Sequence, residues 1–468
     1  MSRLIAGAVV VGLLGAVAVG RVAAQASAGW QQYASPAEAG FSAQQLEAAR
    51  AYADSVRTGA VMAVYRGRVV AAWGDVARPM PAHSVRKSLV SALYGAAVAR
   101  GELRLDATLS DFRIDDHGVL TAAEQGATLR DVISSRSGVY LPAAYAGADQ
   151  DATRPARGSH APGTHWFYNN WDFNVAGVVY ERATGRSVYT AFDSLIARAI
   201  GMEDYSPASG FLVVEPSLSR HPAHTFTISA RDLARFGQLY LQQGRWQGRE
   251  VIPASWVRES THAHTDFGNG TGYGYMWWTY APGSLGAGYQ HLDSYELYMG
   301  RGTGGQAVYV IPAAELVIVH RGDTENGRGV SGAHAWRIAE LILGAREADP
   351  KAEPATIALA PTAFTSQLPP ARLPAFVTLD AAALDRVTGS YELAPGAVLR
   401  VFEFEGRPFI NVPGRGEAEL FAVSPLEFVI RVEAGVRIRF ETAAGGAVTA
   451  VVVRQGTQEM RAPKRSER

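Results

Sequence analysis

The sequence predicts an α+β fold followed by a small all-β domain. Three observations carry this expectation. Strand-like runs stand at both ends of residues 61–320, with helix-periodic segments between them, so one sheet is assembled from both chain ends. Residues 346–378, rich in Ala and Pro, interrupt the pattern as a linker. Beyond them, short apolar runs joined by Gly or Pro turns predict a barrel or sandwich. At 468 residues the chain exceeds one ordinary core. The expected division is 1–26, a signal peptide; 27–345, the α+β domain; 346–378, the linker; and 379–468, the β domain.

The elements follow in order. Phe41–Leu46 opens a helix with Ser42 as N-cap. Val61–Tyr65 and Val69–Gly74, joined through Arg66–Gly67–Arg68, form a hairpin. Leu89–Val98 is helical and stops at Gly101. Residues 142–164 form a long loop, of a kind that is often functional in a compact domain. A helical block runs from Trp171 to Ala199, and Ser229 caps another helix with Asp232 completing an acidic capping box. Tyr273–Trp278, Ala307–Ile311 and Leu316–His320 are strands, and Ala335–Leu343 is the last helix of the region. In the β domain, Val398–Phe404, Phe428–Val432, Val436–Phe440 and Val448–Val453 are strands, and residues 460–468 are a frayed basic tail.

The chain carries 44 Lys+Arg against 44 Asp+Glu, with no basic block before the tail, which disfavours nucleic-acid binding. It contains no cysteine, which excludes disulfides, thiolate nucleophiles and Cys-ligated zinc. Its histidines are scattered: His262 and His264, like His221 and His224, look structural, so no metal site and no cofactor is expected. At the N-terminus, Arg3, the apolar run Leu4–Gly20 and the small residues Ala23 to Ser27 form a secretory signal. The chain is thus expected to be exported to the periplasm or medium. If the segment is not cleaved, it is an N-terminal membrane anchor.

Chemistry centres on Ser84-Val85-Arg86-Lys87 at the start of the Leu89 helix. Positions i and i+3 share one helix face. A serine needs a neighbouring base, and a lysine of lowered pKa can be one. Of the 44 basic residues only Lys87, Lys351 and Lys464 are lysines. Arginine serves everywhere else, and arginine cannot act as a base near neutrality. A second candidate is Tyr168-Asn169-Asn170, where a phenol and an amide enter one cleft. The third is Gly300-Arg301-Gly302-Thr303-Gly304-Gly305 ahead of Ala307–Ile311. A dinucleotide site would need a helix after these glycines; a strand follows, so they are expected to bring backbone N–H groups near a ligand.

Together these pieces resemble the serine β-lactamase and penicillin-binding-protein superfamily. Ser84–Lys87 is similar to its S-x-x-K, Tyr168–Asn170 to the Y-x-N of its class C branch, and Gly302-Thr303-Gly304 to K-T-G or H-x-G. Ser135-Arg136-Ser137-Gly138, Ile200-Gly201-Met202 and Ile228–Leu233 are similar to class C-like esterases and 6-aminohexanoate-dimer hydrolases. The β domain resembles appended lipocalin-like modules. The resemblance implies a sheet flanked by helices, a helical domain, and a site between them.

It also implies a serine hydrolase acting on a small ester, amide or peptide through an acyl-enzyme. Ser84 would be the nucleophile, Lys87 and Tyr168 the proton carriers, and Asn170 the orienting amide. The Ser84 and Gly305 N–H groups would form the oxyanion hole, beside Gly302, Thr303 and Gly304. Which of Lys87 and Tyr168 is the base stays open. Gly302 stands where β-lactam-handling relatives carry a lysine, and Arg301, one residue away on a strand, points to the other face. Neutral esters or amides are therefore expected ahead of β-lactams. The aromatic flanks Trp166, Phe167, Trp171, Trp277 and Trp278 agree with an apolar cleft. The alternatives are a β-lactamase or D-alanyl-D-alanine carboxypeptidase, and a sensor that acylates without turnover.

Overall fold

The computed structural model describes residues 29–370, 374–413, 416–431, 435–455 and 457–465; the expected signal segment lies outside them. A ten-stranded sheet forms the first unit. Its order is Thr356–Ala358, Gln31–Tyr33, Arg68–Gly74, Thr58–Tyr65, Leu316–Gly322, Gln306–Ile311, Leu297–Gly302, Trp278–Tyr280, Thr271–Tyr273 and Thr265–Asp266. Both chain ends supply strands, as the patterning predicts. All pairs are antiparallel but one: Gln31–Tyr33 runs parallel to Arg68–Gly74, so the sheet is mixed rather than antiparallel.

The central strand explains its own composition. Every residue of Thr58–Tyr65 is buried. Ala60, Met62 and Val64 enter the core on one face, and Val61, Ala63 and Tyr65 enter the core on the other. A strand covered on both sides has no reason to alternate apolar with polar. One cover is the helix Ala230–Leu241 with the helical region Arg86–Ala99 and Asn170–Thr184. The other is the helix pair Ala43–Ser55 and Gly332–Gly344. No helix among the described residues is long and apolar enough to cross a membrane.

Several local expectations change. Ser42 stands at the N-cap of Ala43–Ser55 but makes no side-chain cap bond. Ser229 does cap its helix, accepting from Asp232 N at 3.1 Å. The Asp232 carboxylate does not close the box; it accepts the N–H groups of Glu203, Asp204 and Tyr205 at 2.7, 2.8 and 2.8 Å. Tyr273–Trp278 is not one strand. Met276 takes a φ of +64°, and the chain turns back so that Tyr273 pairs with Trp278. The 142–164 loop holds one short helix, Ala148–Thr153.

The Ala- and Pro-rich stretch is not a free tether. Its Thr356–Ala358 pairs with Gln31–Tyr33, and Thr362 N donates to Ala72 O at 2.9 Å. Phe364 is buried in the core above Gly74. Asp54 accepts from Thr365 N, Thr365 Oγ1 and Ser366 N at 2.9, 2.6 and 2.9 Å. Low polarity and proline content cannot distinguish a tether from a strap packed along a sheet.

The second unit is an eight-stranded antiparallel sheet in sequential order from Gly389–Ala394 to Gln458–Pro463. Its last strand corrects the expected frayed tail. Gln458–Pro463 pairs along Val448–Gln455, and a Tyr391–Lys464 bridge brings the two ends of the sheet together. Charges on the outer face of this strand hide its inner alternation, in which Ala462 is buried in the barrel core and Met460, still partly exposed, lines its cavity. The helix Ala381–Val387 lies at one end, its Val387 carbonyl accepting from Tyr391 Oη at 2.6 Å.

The strap makes a measurable claim. Phe364→Ala is expected to lower the unfolding free energy by about 3 kcal/mol, the scale of a buried phenylalanine. Denaturant unfolding checks it. A change within about 0.5 kcal/mol, as for a solvated tether, would contradict the burial.

Candidate active site

Ser84 sits on a tight turn, His83–Val85, between the two-residue strand Met80–Pro81 and the helix Arg86–Ala99. The turn is held from three sides. Arg321, fully buried, donates to Met80 O, Pro81 O and Ile228 O at 2.7, 2.9 and 2.8 Å. Gln306 Oε1 accepts from its Nε at 2.7 Å. Burial pushes the Arg321 pKa down to about 9, so it stays charged near neutrality.

His83 takes a φ of +45°, a conformation that costs a non-glycine residue energy. Two bonds hold it: Nδ1 lies 2.7 Å from Tyr145 Oη, and Nε2 lies 2.9 Å from Thr324 Oγ1. Burial, with Arg321 and Lys87 nearby, pushes its pKa down to about 4, so the ring is neutral.

Gly300 and Gly302 let the sheet approach this turn. A Cβ on Gly302 would stand 2.8 Å from Ala82 O and 2.8 Å from Ser84 N. One on Gly300 would stand 2.8 Å from Ser88 Oγ. The missing family lysine therefore has a steric counterpart: position 302 packs on the backbone of the Ser84 turn. Among the described residues, pairing to Trp278–Tyr280 stops at Met299, which leaves Gly300–Gly302 with an open backbone edge.

Lys87 Nζ lies 2.8 Å from Ser84 Oγ and 2.8 Å from Tyr168 Oη. Lys87 is only 2% exposed. Burial first, then the Arg86 guanidinium, hold its pKa well below the ordinary lysine range. Arg86 is itself buried and donates to Asn174 Oδ1 at 3.0 Å. Burial raises the Tyr168 pKa, opposed by the Ser84 hydrogen bond and by Arg86 and Arg301. Both groups are thereby driven toward their neutral forms.

The tyrosine is set by the Ser135–Gly138 segment. Ser135 Oγ donates to Phe167 O at 2.6 Å and accepts from Asn169 N at 3.0 Å. Ser137 Oγ donates to buried Asp172 at 2.5 Å, and Asn169 Nδ2 donates to Asp172 at 3.0 Å. Phe173 and Trp278 then pack on the Tyr168 ring at 5.1 and 5.5 Å.

Ser84, Lys87, Tyr168, Asn170, Gly302 and Thr303 thus meet at one place. Ser84, Tyr168, Asn170 and Thr303 line a cavity of about 690 Å³. Asn170 Nδ2 donates to the Tyr145 carbonyl, and its buried Oδ1 has no partner among the described residues. Gly304 and Gly305 stand farther along. Gly304 O accepts from Val330 N at 3.1 Å, and Gly305 O lies 2.6 Å from His320 Nδ1. A Cβ on Gly305 would stand against Val330 and His320.

Of the aromatic flanks, Trp166 and Phe167 line the cavity and Trp278 backs Tyr168. Trp171 and Trp277 are core residues. Arg301 stacks 3.8 Å over the Trp278 ring. His83, Arg86, Tyr145 and Arg321 were not legible as site residues. Only the adjacency of Arg86 to Lys87 offered a signal. Among the described residues, no three His, Asp or Glu side chains gather as a metal cluster would.

The profile of the beta-lactamase family matches residues 43–320, more than half of the chain. The chain belongs to the beta-lactamase family. It is a serine hydrolase of that family, with Ser84 and Lys87 inside the matched span. Esterase EstB of Burkholderia gladioli is 31% identical over an alignment of 163 residues, with 30% of this chain and 40% of that protein covered. The match thus spans less than half of that relative. A Bacillus anthracis protein described as a 6-aminohexanoate-dimer hydrolase is 18% identical in its solved structure, with 68% of this chain and 91% of that chain covered and a TM-score of 0.49. The octameric penicillin-binding protein homologue from Pyrococcus abyssi is 16% identical, with 90% and 99% covered and a TM-score of 0.48. Neither structural likeness bears on the substrate.

Two outcomes follow for this beta-lactamase-family hydrolase. Removing a positive neighbour raises the pKa of an amine, so Arg86→Gln is expected to move the acid limb of the kcat/KM profile to higher pH. A pH–rate series with a nitrophenyl ester checks this; an unmoved limb means that Arg86 does not act on Lys87. Gly302→Ala is expected to displace the Ser84 turn and lower kcat/KM by about 10- to 100-fold. Unchanged kinetics would show that the turn yields without cost.

Proposed function

We propose that this chain hydrolyses an uncharged carboxylic ester through an acyl-enzyme on Ser84. The observation that carries the reading is the buried Lys87 amine, 2.8 Å from both Ser84 Oγ and Tyr168 Oη. The depressed lysine pKa and raised tyrosine pKa favour Lys87 as the base. The free amine takes the Ser84 proton as Oγ attacks the carbonyl carbon. The developing oxyanion is met by the Ser84 N–H and by the open backbone edge at Gly302, the glycine nearest Ser84. This assigns to Gly302 the role first expected of Gly305. The proton passes from Lys87 through Tyr168 to the leaving alkoxide. A water, deprotonated by the same pair, then attacks the acyl carbon, and the acid leaves as Ser84 recovers its proton.

Uncharged substrates are favoured because position 302 has no room for the cation that a substrate carboxylate would require, and an unpaired buried charge is costly. The esterase relative agrees with this choice. A second reading, an amide, is favoured by one atom: the orphaned Asn170 Oδ1 can accept an N–H that an ester lacks. The basic and apolar N-terminus supports export of the enzyme from the cytoplasm.

A fluorophosphonate probe is expected to label the protein once, at Ser84, and labelling that survives Ser84→Ala would overturn the assignment. Lys87→Arg keeps the charge and loses the base, so kcat/KM is expected to fall ~100-fold or more. Neutral short-chain nitrophenyl esters are expected to exceed nitrocefin in kcat/KM by at least ~10-fold, about 1.4 kcal/mol in transition-state binding. The reverse preference would put the β-lactamase reading first. A burst without steady turnover would identify a sensor that acylates once. A matched ester and amide pair, compared in wild type and Asn170→Leu, decides the second reading.

A further inference from the structure

The cavity at Ser84 does not end in the hydrolase unit. It passes the wall Phe211–Glu215 and continues into the lumen of the C-terminal barrel. The inner faces of the barrel strands divide into two halves. Tyr391, Val401, Phe428 and Phe440 pack one end shut, with Phe440 ring contacts to Tyr391 and Phe428 at 5.8 and 5.4 Å. The inward residues toward the other end line the cavity instead: Leu399, Ile410, Ala418, Ile430, Ile438 and Val453. Leu399 and Val401 show the division on a single strand, and Val453 and Val451 repeat it. The barrel is therefore a cup, closed at its far end and open toward Ser84.

The cup is docked rather than loosely apposed. The Arg431 guanidinium stacks 4.1 Å from the Phe211 ring, and Ser217 N donates to Glu417 Oε2 at 3.0 Å. Strand Gly416–Ser424 borders the cavity on both faces, with Ala418 inside and Glu417, Glu419 and Phe421 toward the hydrolase. Among the described residues that line the cavity, the carboxylate and guanidinium groups, Glu215, Glu417, Glu419 and Arg431, lie at this junction, and burial opposes the charge of three of them. It pushes Glu215 up to about 7, raises Glu419 and lowers Arg431. A volume of about 690 Å³ lies within the roughly 300–1,000 Å³ of pockets that enclose small ligands.

We infer that the barrel lumen is the binding site for an uncharged, unbranched alkyl chain of the ester whose carbonyl reacts at Ser84. The inference rests on the ester-hydrolase reading and adds the substrate class: esters bearing a medium or long aliphatic chain. The barrel supplies chain recognition and the hydrolase unit supplies chemistry. The alkyl chain can belong to the acyl group or to the alcohol; the lumen chemistry is the same.

The test uses the full chain and two ester series of increasing length, nitrophenyl alkanoates and alkyl acetates. In the series whose chain enters the lumen, kcat/KM is expected to rise about two- to fourfold per methylene before reaching a plateau. The series that rises identifies the side of the ester. A terminal carboxylate on the chain is expected to remove the gain. Ala418→Phe, which fills the lumen, is expected to lower long-chain activity at least ~10-fold while leaving nitrophenyl acetate within about twofold; if it fails to fold, Val453→Phe replaces it. Length-independent rates in both series, or an undiminished gain in the folded filled variant, would overturn the inference and leave the esterase reading standing. If no ester turns over, that reading fails by itself. Calorimetric titration of Ser84→Ala with 1-decanol then decides: binding that Ala418→Phe abolishes upholds the lumen site, and absence of binding refutes it.

Discussion

The chemistry proposed for this molecule depends on taking one amine out of water. Lys87 lies within the helical core, touched by Ser84, Tyr168 and the ring of Phe173, and its neighbour in the chain is a second buried cation. In water the amine would hold its proton and be useless as a base. Here both the low polarity of the surroundings and the field of Arg86 oppose that proton. The arrangement costs stability, because a guanidinium and an amine denied its proton are buried side by side. Asn174 and the faces of nearby aromatic rings offset part of that cost. Such a site sacrifices fold stability for reactivity, a common exchange in enzymes.

The nucleophile must then be brought to the amine with little freedom to move. Three unlike devices do this. Arg321 binds the carbonyls that precede Ser84, glycines at 300 and 302 permit backbone contact, and a neutral His83 holds a disfavoured dihedral between Tyr145 and Thr324. These partners come from distant parts of the chain. The geometry at Ser84 is therefore a product of the completed sheet rather than of the helix on which S-x-x-K lies.

That separation explains what was legible in the sequence. Ser84 and Lys87 were readable because the spacing is local and lysine is rare in this chain. The fold class was readable from the switch between strand-like and helical periodicity. Three of the misread segments failed for physical reasons. The glycines at 300–305 do precede a strand, Gln306–Ile311, but Gly300–Gly302 also end one, which was missed since Leu297–Met299 carries no period-two signal of its own. The stretch 356–366 lacks polar alternation because it lies flat along a sheet edge. The last strand displays charge on its outer face. Gly305 was assigned by motif position, while the approach to Ser84 is decided by which glycine faces the 82–84 turn, and that requires coordinates. His83 and Arg321 act through partners separated by hundreds of positions, which no local pattern records.

The two units also differ in how their strands find one another. Every strand of the barrel pairs with its neighbour in sequence, and only the final closure joins its ends. The hydrolase sheet instead sets Thr58–Tyr65 beside Leu316–Gly322, across most of the unit. Local hairpins form rapidly, whereas pairing of distant segments must first overcome the entropy of a long closed loop. Contact order thus predicts that the barrel folds faster, although it is synthesised after the hydrolase unit. The Thr356–Ala358 strap, which completes the hydrolase edge, lies next to it in the chain. On refolding, the barrel is therefore expected to assemble before the cleft beside it, and the Ser84 turn to be set only when the slower sheet closes.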